Sequence, residues 1–332
     1  MNILLVGPLG GDHNANYMHN ALIDMGHNVA IYDQREVIQN IGVDKMQFHF
    51  TENLELLQPD LTIVLKGLEF TKETIQQAKK VCKNPIVNWI FDVTLAGTMV
   101  EKAEWYTDMI KEYTIFYTID EDAIKPLKKL GVNAKLLSEA SHTPTYGEQI
   151  LNYVQKKKFG SEVVFIGSVG GIHDNREKLL ARIHAEGIPL KIYGDVLYKE
   201  NTEPEWVKEC HSGYAVQNNM HSVACNSAKI VIGCDGWPHR SKSNSSRMYR
   251  TMDSGSFYLN TDTKGTNEIF TPGVHYDVYK DEDDLIEKII YYLTHEEERA
   301  KIALAGQKEV QEKHQFENRL KQIIEDTNEN VC

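Results

Sequence analysis

The stretch EVVFIGSVGG, from Glu162 to Gly171, decides how the whole chain is read. Its apolar run, residues 163–166, shows no polar alternation, the mark of a strand buried on both faces of a parallel sheet. Gly167-Ser168 and Gly170-Gly171 follow as a glycine loop, and residues 175–185 then carry apolar positions at helical spacing. The chain opens with the same device. Residues 2–6 (NILLV) read as a strand, GPLGGDHN from Gly7 to Asn14 as the loop, and residues 15–25 as a helix ended by Gly26. A strand–loop–helix scheme that starts twice predicts two domains.

Working outward, the first half predicts further strands at residues 29–32, 61–65, 86–90, 114–118 and 134–137, with helices at 72–81, 100–110 and 123–130. The segment SHTPTYGEQILNYVQKKK (residues 141–158) breaks the pattern; it is polar, holds a proline and ends in three lysines, as a linker does. After the restart, strands are expected at 190–193, 230–232, 257–259 and 276–279, and helices at 283–294, 296–313 and 316–326. The fold class is therefore α/β, with two doubly wound, Rossmann-like domains and an interdomain cleft. The expected boundaries are 1–150 for the first domain and 159–315 for the second. Residues 316–332 are a terminal helix and tail expected to pack back on the first domain. Ligands should sit at the carboxyl ends of the strands.

At 332 residues the chain exceeds the size at which one core keeps growing. Its net charge of −12, from 36 Lys+Arg against 48 Asp+Glu, speaks against a broad electrostatic grip on nucleic acid. No apolar run nears the ~20 residues that span a bilayer, so no integral membrane segment is expected. MNILLVGPLGG lacks the basic start of a signal peptide. The five cysteines are scattered without a CxxC pair, which fits a reducing, cytoplasmic setting. His173, His211, His221 and His239 lack metal-ligand spacing, so no metal is expected. The sequence is silent on oligomeric state.

The chemistry concentrates in NSSRMYRTMDSGSFYLNTDTKGTNE, Asn244 to Glu268. A Ser/Asn-rich loop enters a helix at Ser245, Ser246 and Arg247, the helix stops at Ser254-Gly255, and a short strand leads to a turn bearing Glu268. A helix start offers unpaired N–H groups and positive potential to an anion, and arginine adds a planar fork of donors that matches phosphate. The preceding DGWPHRSK adds Arg240 and Lys242. Gly167, Ser168, Gly194 and Asp195 end neighbouring strands on the same edge, and Arg176 opens the next helix. In the first half, Gly10 and Gly11 let backbone approach a ligand, and Asp12, His13 and Asp92 are candidates for a proton acceptor. Asp12 and Asp92 equally suit helix capping. Lys66 and His142 are placed to face the cleft. The loop does not read G-x-G-x-x-G, although Asp33 ends the second strand where nicotinamide enzymes hold a ribose.

Several stretches in order carry a resemblance: FIGS (165–168), Arg176, IYGD (192–195), MHSVACNSAKIVIG (220–233), SSRMYRTMDSGSFYLN (245–260), and the tail from Thr263 to Leu320. With these, the second half resembles the GT-B glycosyltransferases, and more narrowly the CgeB-like (spore maturation protein) group, distantly related to the retaining glycogen-synthase-like transferases. The first half is similar only through PDLTIVLKG (59–67), Trp89 to Asp92 and LLSEASH (136–142). The resemblance implies transfer of a sugar from a nucleotide-diphosphate donor, a UDP-sugar first among them, to an acceptor hydroxyl, without metal or other cofactor and with retention. The acceptor is left open among a glycan, a lipid carrier, a protein and a modified nucleic acid. It further implies that Ser245, Ser246 and Arg247 serve the diphosphate, Gly167-Ser168 the phosphate or sugar edge, and Glu268 the sugar or ribose. Arg250 stands where many relatives have a ribose-binding glutamate, which puts the ribose contact on Glu268 or Asp195. Two other readings remain: an NAD(P)-dependent oxidoreductase using the first glycine loop, and a non-catalytic sugar or nucleotide binder.

Overall fold

The computed structural model describes residues 1–11, 13–91, 104–171, 174–199, 202–234 and 245–329. They form two compact units: Met1–Glu139 with Phe316–Cys332, and Ala140–Gln315.

The first unit is built on six parallel strands, β1 (Asn2–Val6), β2 (Asn28–Tyr32), β3 (Leu61–Leu65), β4 (Ile86–Ile90), β5 (Ile115–Thr118) and β6 (Ala134–Leu136), in the order β2-β1-β3-β4-β5-β6. Every residue of β3 and β4 is buried, which is why their sequences do not alternate. Alternate side chains serve opposite faces. Val64, Ile86, Ile90 and Phe116 pack with Met46, Phe50, Leu54, Ile75 and Tyr106 from the helices Val43–Leu57, Lys72–Val81 and Glu104–Ile110. Trp89 and Tyr117 meet the last helix, Phe316–Glu329: the Trp89 and Phe316 rings lie 6.2 Å apart, and Tyr117 Oη donates to Asp326 at 2.9 Å. That helix also packs on Asn14–Asp24 through Tyr17 and Phe316.

The second unit holds β7 (Ser161–Ile166), β8 (Leu190–Tyr193), β9 (Ala228–Ile232), β10 (Tyr258–Thr261) and β11 (Asp277–Tyr279), all parallel, in the order β11-β10-β9-β7-β8. Phe165, Ile230 and Ile232 face Leu180, Leu285 and Ile289 of the helices Asp174–Ala185 and Glu282–Thr294. Val164 and Val231 face Val223, Met248 and Met252 of Asn219–Asn226 and Ser246–Asp253. Both sheets are thus covered on both sides.

Three local readings differ from the sequence expectation. Residues 141–158 are not a free linker. They carry the helices Thr143–Tyr146 and Tyr153–Phe159, and Ser141, His142 and Tyr146 are buried in the second unit. Asp253, at the end of Ser246–Asp253, ties this segment down by accepting from Thr143 Oγ1 at 2.8 Å and from Gln311 at 3.3 Å. Second, Val43–Leu57 is a full helix between Gly42 and Gln58, both at positive φ, with its buried stripe at Met46, Phe50 and Leu54. Third, the expected turn at Glu268 is the helix Lys264–Ile269.

Candidate functional site

In a doubly wound sheet the crevice opens where the strand order reverses, at the carboxyl edge. In the second unit that point lies between β7 and β9, since the chain leaves β7 toward β8 and returns past it to β9. The helix Ser246–Asp253 begins there. Ser245 caps it, its hydroxyl accepting the Arg247 N–H at 3.3 Å. Arg247 reaches across to β7: its Nε donates to the Ile166 carbonyl, and its guanidinium carbon sits 4.9 Å from the centroid of the Phe165 ring. Among the described residues Arg247 has no ion pair. Arg176 approaches the same ring, at 5.3 Å, while its Nη1 donates to the Ser168 carbonyl at 2.6 Å. Two guanidiniums therefore bracket the end of β7.

The backbone at this edge is close-packed. Gly167 N–H donates to the Tyr193 carbonyl at 2.8 Å and Val169 N–H to the Asp195 carbonyl at 3.0 Å, so the loops after β7 and β8 run side by side. A Cβ on Gly194 would lie 2.2 Å from the Gly167 carbonyl oxygen, and one on Gly167 2.6 Å from Arg247 Nη2. At Gly194 the near atom is backbone, so space requires glycine; at Gly167 it is a side-chain tip, and the φ of 158° is what strains a larger residue. Asp195 is exposed beyond Gly194, and Glu268 is exposed on its helix, 4.0 Å from Lys264. Arg250 stacks its guanidinium carbon 4.6 Å from the centroid of the Tyr146 ring. The end of β9 is braced by groups that sequence reading missed. Tyr279 Oη donates to the Gly233 carbonyl at 2.7 Å, and a Cβ at Gly233 would strike Tyr258 and Asn260. Burial pushes the Tyr279 hydroxyl well above its ordinary pKa, so it stays a donor. These partners are 46 residues apart in sequence, and no local signal joins them.

In the first unit the order reverses between β1 and β3. Gly10 and Gly11, both at positive φ, form the loop after β1, and Lys66 and Gly67, at φ 59° and 65°, form the turn after β3. The glycine loop is held by Asn16, which bonds Gly10 and Gly11, and by Asp33, whose Oδ2 accepts the Leu9 N–H at 2.7 Å. The other Asp33 oxygen caps Gln34–Ile41. This carboxylate is committed to backbone, which disfavours the nicotinamide reading. His13 stands at the N-cap of Asn14–Asp24, with no side-chain cap bond. His142 belongs to the second unit, buried, its Nδ1 2.9 Å from Thr145 Oγ1. Asp12, Asp92, Arg240 and Lys242 lie outside the described residues. Among the described residues no three His, Cys, Asp or Glu side chains cluster to hold a metal, and no helix is long and apolar enough to cross a membrane.

Residues 176–325 match the model of a family described as glycosyl transferase-like. No curated protein matches. Solved structures that share the fold include sucrose-phosphate synthase from Thermosynechococcus elongatus, with a TM-score of 0.70, 11% identity, and coverage of 100% of this chain and 99% of that one. Anabaena HepE in complex with UDP-glucose aligns with a TM-score of 0.68 at 11% identity over 99% and 100% of the two chains. A glycosyltransferase from Rickettsia africae aligns with a TM-score of 0.67 at 10% identity over 99% and 98%. The two parallel-sheet units are those of the GT-B fold, and residues 176–325 are similar to the glycosyl transferase-like family.

Proposed function

We propose that this chain moves a sugar from a UDP-sugar to an acceptor hydroxyl, with retention of anomeric configuration and without a metal or other cofactor. The observation that carries the reading is Arg247, in the first turn of Ser246–Asp253 and bonded to the end of β7 at the switch point. The UDP-glucose held by HepE supports the choice of nucleotide. Within the family, the CgeB-like group fits the motif order of the second half.

In this mechanism the helix N-terminus and Arg247 offset the charge that develops on the leaving diphosphate, the work a metal does elsewhere. Ser245 and Ser246 contribute at the helix start, Gly167 and Ser168 present backbone to phosphate, and Arg240 and Lys242 add positive charge. Gly194 and Asp195 border the donor, and Glu268 takes the ribose or sugar contact, because Arg250 is stacked on Tyr146. The bond from the anomeric carbon to the diphosphate oxygen breaks and UDP leaves with the electron pair. The acceptor oxygen bonds to the same carbon, and its proton passes to the departing phosphate oxygen. Gly10, Gly11, Lys66 and His142 serve the acceptor. Asp12, His13 and Asp92 are the groups from which a base would come if the reaction inverted. A cytoplasmic enzyme drawing on cytoplasmic nucleotide sugars completes the reading.

A thermal-shift panel of UDP-, GDP-, ADP- and dTDP-sugars tests it. UDP-sugars should raise the melting temperature of the parent by mass action and do so much less for Arg247→Ala. In a donor-hydrolysis or transfer assay Arg247→Ala should raise donor KM and lower kcat/KM by about 100-fold, the scale of one lost transition-state donor. Equal shifts and equal turnover in parent and variant would remove Arg247 from the site.

A further inference from the structure

The second unit leaves one outward face bare. Ile150 is 99% exposed, and Tyr153 and Val154 are 78% and 69% exposed. They are held in place locally. Asn152 and Gln155 form a reciprocal cap at the start of Tyr153–Phe159, with bonds of 2.9 and 3.0 Å. Leu151 and Phe159, at the two ends, pack into the core. The apolar tips therefore point outward from a clamped segment and have no route to burial within the unit.

Lys156, Lys157 and Lys158 fill the last turn of that helix. Lys158 Nζ lies 5.4 Å from the centroids of both Phe159 and Tyr214, which brings the partly exposed Tyr214 to the border of the patch. Lys191 adds a fourth cation, its Nζ donating to the Lys158 carbonyl at 2.6 Å. Of the nearby acids, Glu148 is exposed, and Glu162 is paired with Lys229 at 2.8 Å.

Singly exposed apolar residues are ordinary, but three within five residues beside four lysines make an interfacial composition. Apolar tips enter the acyl boundary, tyrosines lie at headgroup depth, and lysines meet anionic headgroups. We propose that residues 150–158, with Tyr214, form a docking surface for an anionic lipid bilayer. Charge selects this occupant over a second copy of the chain. A symmetric contact would set these lysines against the same lysines. The chain's net −12 opposes approach at long range, but screening beyond roughly 8 Å at physiological ionic strength leaves the local cations to decide.

Flotation of the full chain with phosphatidylglycerol or phosphatidylcholine vesicles tests the proposal, independently of any transfer reaction. At physiological salt about ten-fold more protein should float with phosphatidylglycerol, and raising the salt should reduce it. Ile150→Asp, and separately Lys156→Glu with Lys157→Glu and Lys158→Glu, should bring flotation down to the phosphatidylcholine level with an unchanged circular-dichroism melt. Absence of flotation with phosphatidylglycerol would overturn the proposal, as would variants that float like the parent. Concentration-dependent self-association without lipid that Ile150→Asp abolishes would instead make this face a contact between copies.

Discussion

Gly167 and Arg247 are separated by 80 positions, yet a single methyl group at the glycine would land 2.6 Å from the arginine's Nη2 and 2.9 Å from the Phe165 ring. Because the nearer atom is the far end of a long side chain, the guanidinium would move before the strand does. Gly167→Ala should therefore still fold, at a cost in stability from the φ of 158° and the Phe165 contact, and raise donor KM several-fold, close in character to Arg247→Ala, as donor titrations of the two variants will show. Asp253 works through pH. Burial raises its carboxyl above the ordinary range, against the opposing bonds from Ser141, Thr143, Gln311 and Gln315. In that window the folded chain binds a proton the unfolded chain has lost, so this group's contribution to stability falls as pH rises through it. Urea midpoints of parent and Asp253→Asn should draw closer as pH climbs from the ordinary carboxylate value through the raised one. A gap that widens instead would mean the carboxylate form is the favoured one.

The helix Ser246–Asp253, the proposed donor-facing element, is also a packed one, with Met248, Tyr249 and Met252 buried beneath it. Its start is fixed by the Ser245 cap, so Ser245→Ala should lower stability by about 1 kcal/mol in chemical denaturation, and also weaken donor binding by loosening the first turn. The turn at Ser254-Gly255, with Gly255 at φ 74°, was legible in the sequence because it depends on one residue's backbone freedom. The buried strands were legible for a similar reason: unbroken apolar runs such as LTIVL have one economical use. The helix start was legible in the sequence, but the bond from Arg247 to Ile166 spans 81 residues and has no local signature. The same holds for Asp33. Its position after β2 suits a ribose, and only the fold reveals that the Leu9 N–H and a helix N-terminus already occupy it. Residues 141–158 misled because polar composition resembles a linker, whereas the buried partners of Ser141 and Thr143 come from residues 253 and 315.

At the scale of the molecule, the first unit is assembled from the two ends of the described chain. Phe316 sits against Tyr17 and Trp89, and Asp326 accepts from Tyr117 and pairs with Lys135 at 2.6 Å. Arg319 donates to the Ser138 and Glu139 carbonyls at 3.0–3.2 Å. Phe316→Ala should cost about 3–5 kcal/mol in this unit, the range for removing a buried aromatic ring. The loss should appear as an earlier unfolding transition reported by tryptophan fluorescence, since Trp89 is buried beside the ring. The arrangement also imposes an order on biosynthesis. When residue 139 has left the ribosome, the sheet face that bears Trp89 and Tyr117 still lacks the helix Phe316–Glu329, while the second unit, contiguous from Ala140 to Gln315, is translated in between. The later-made half can thus close first, and the earlier-made half must wait, open to chaperones, until the last helix arrives.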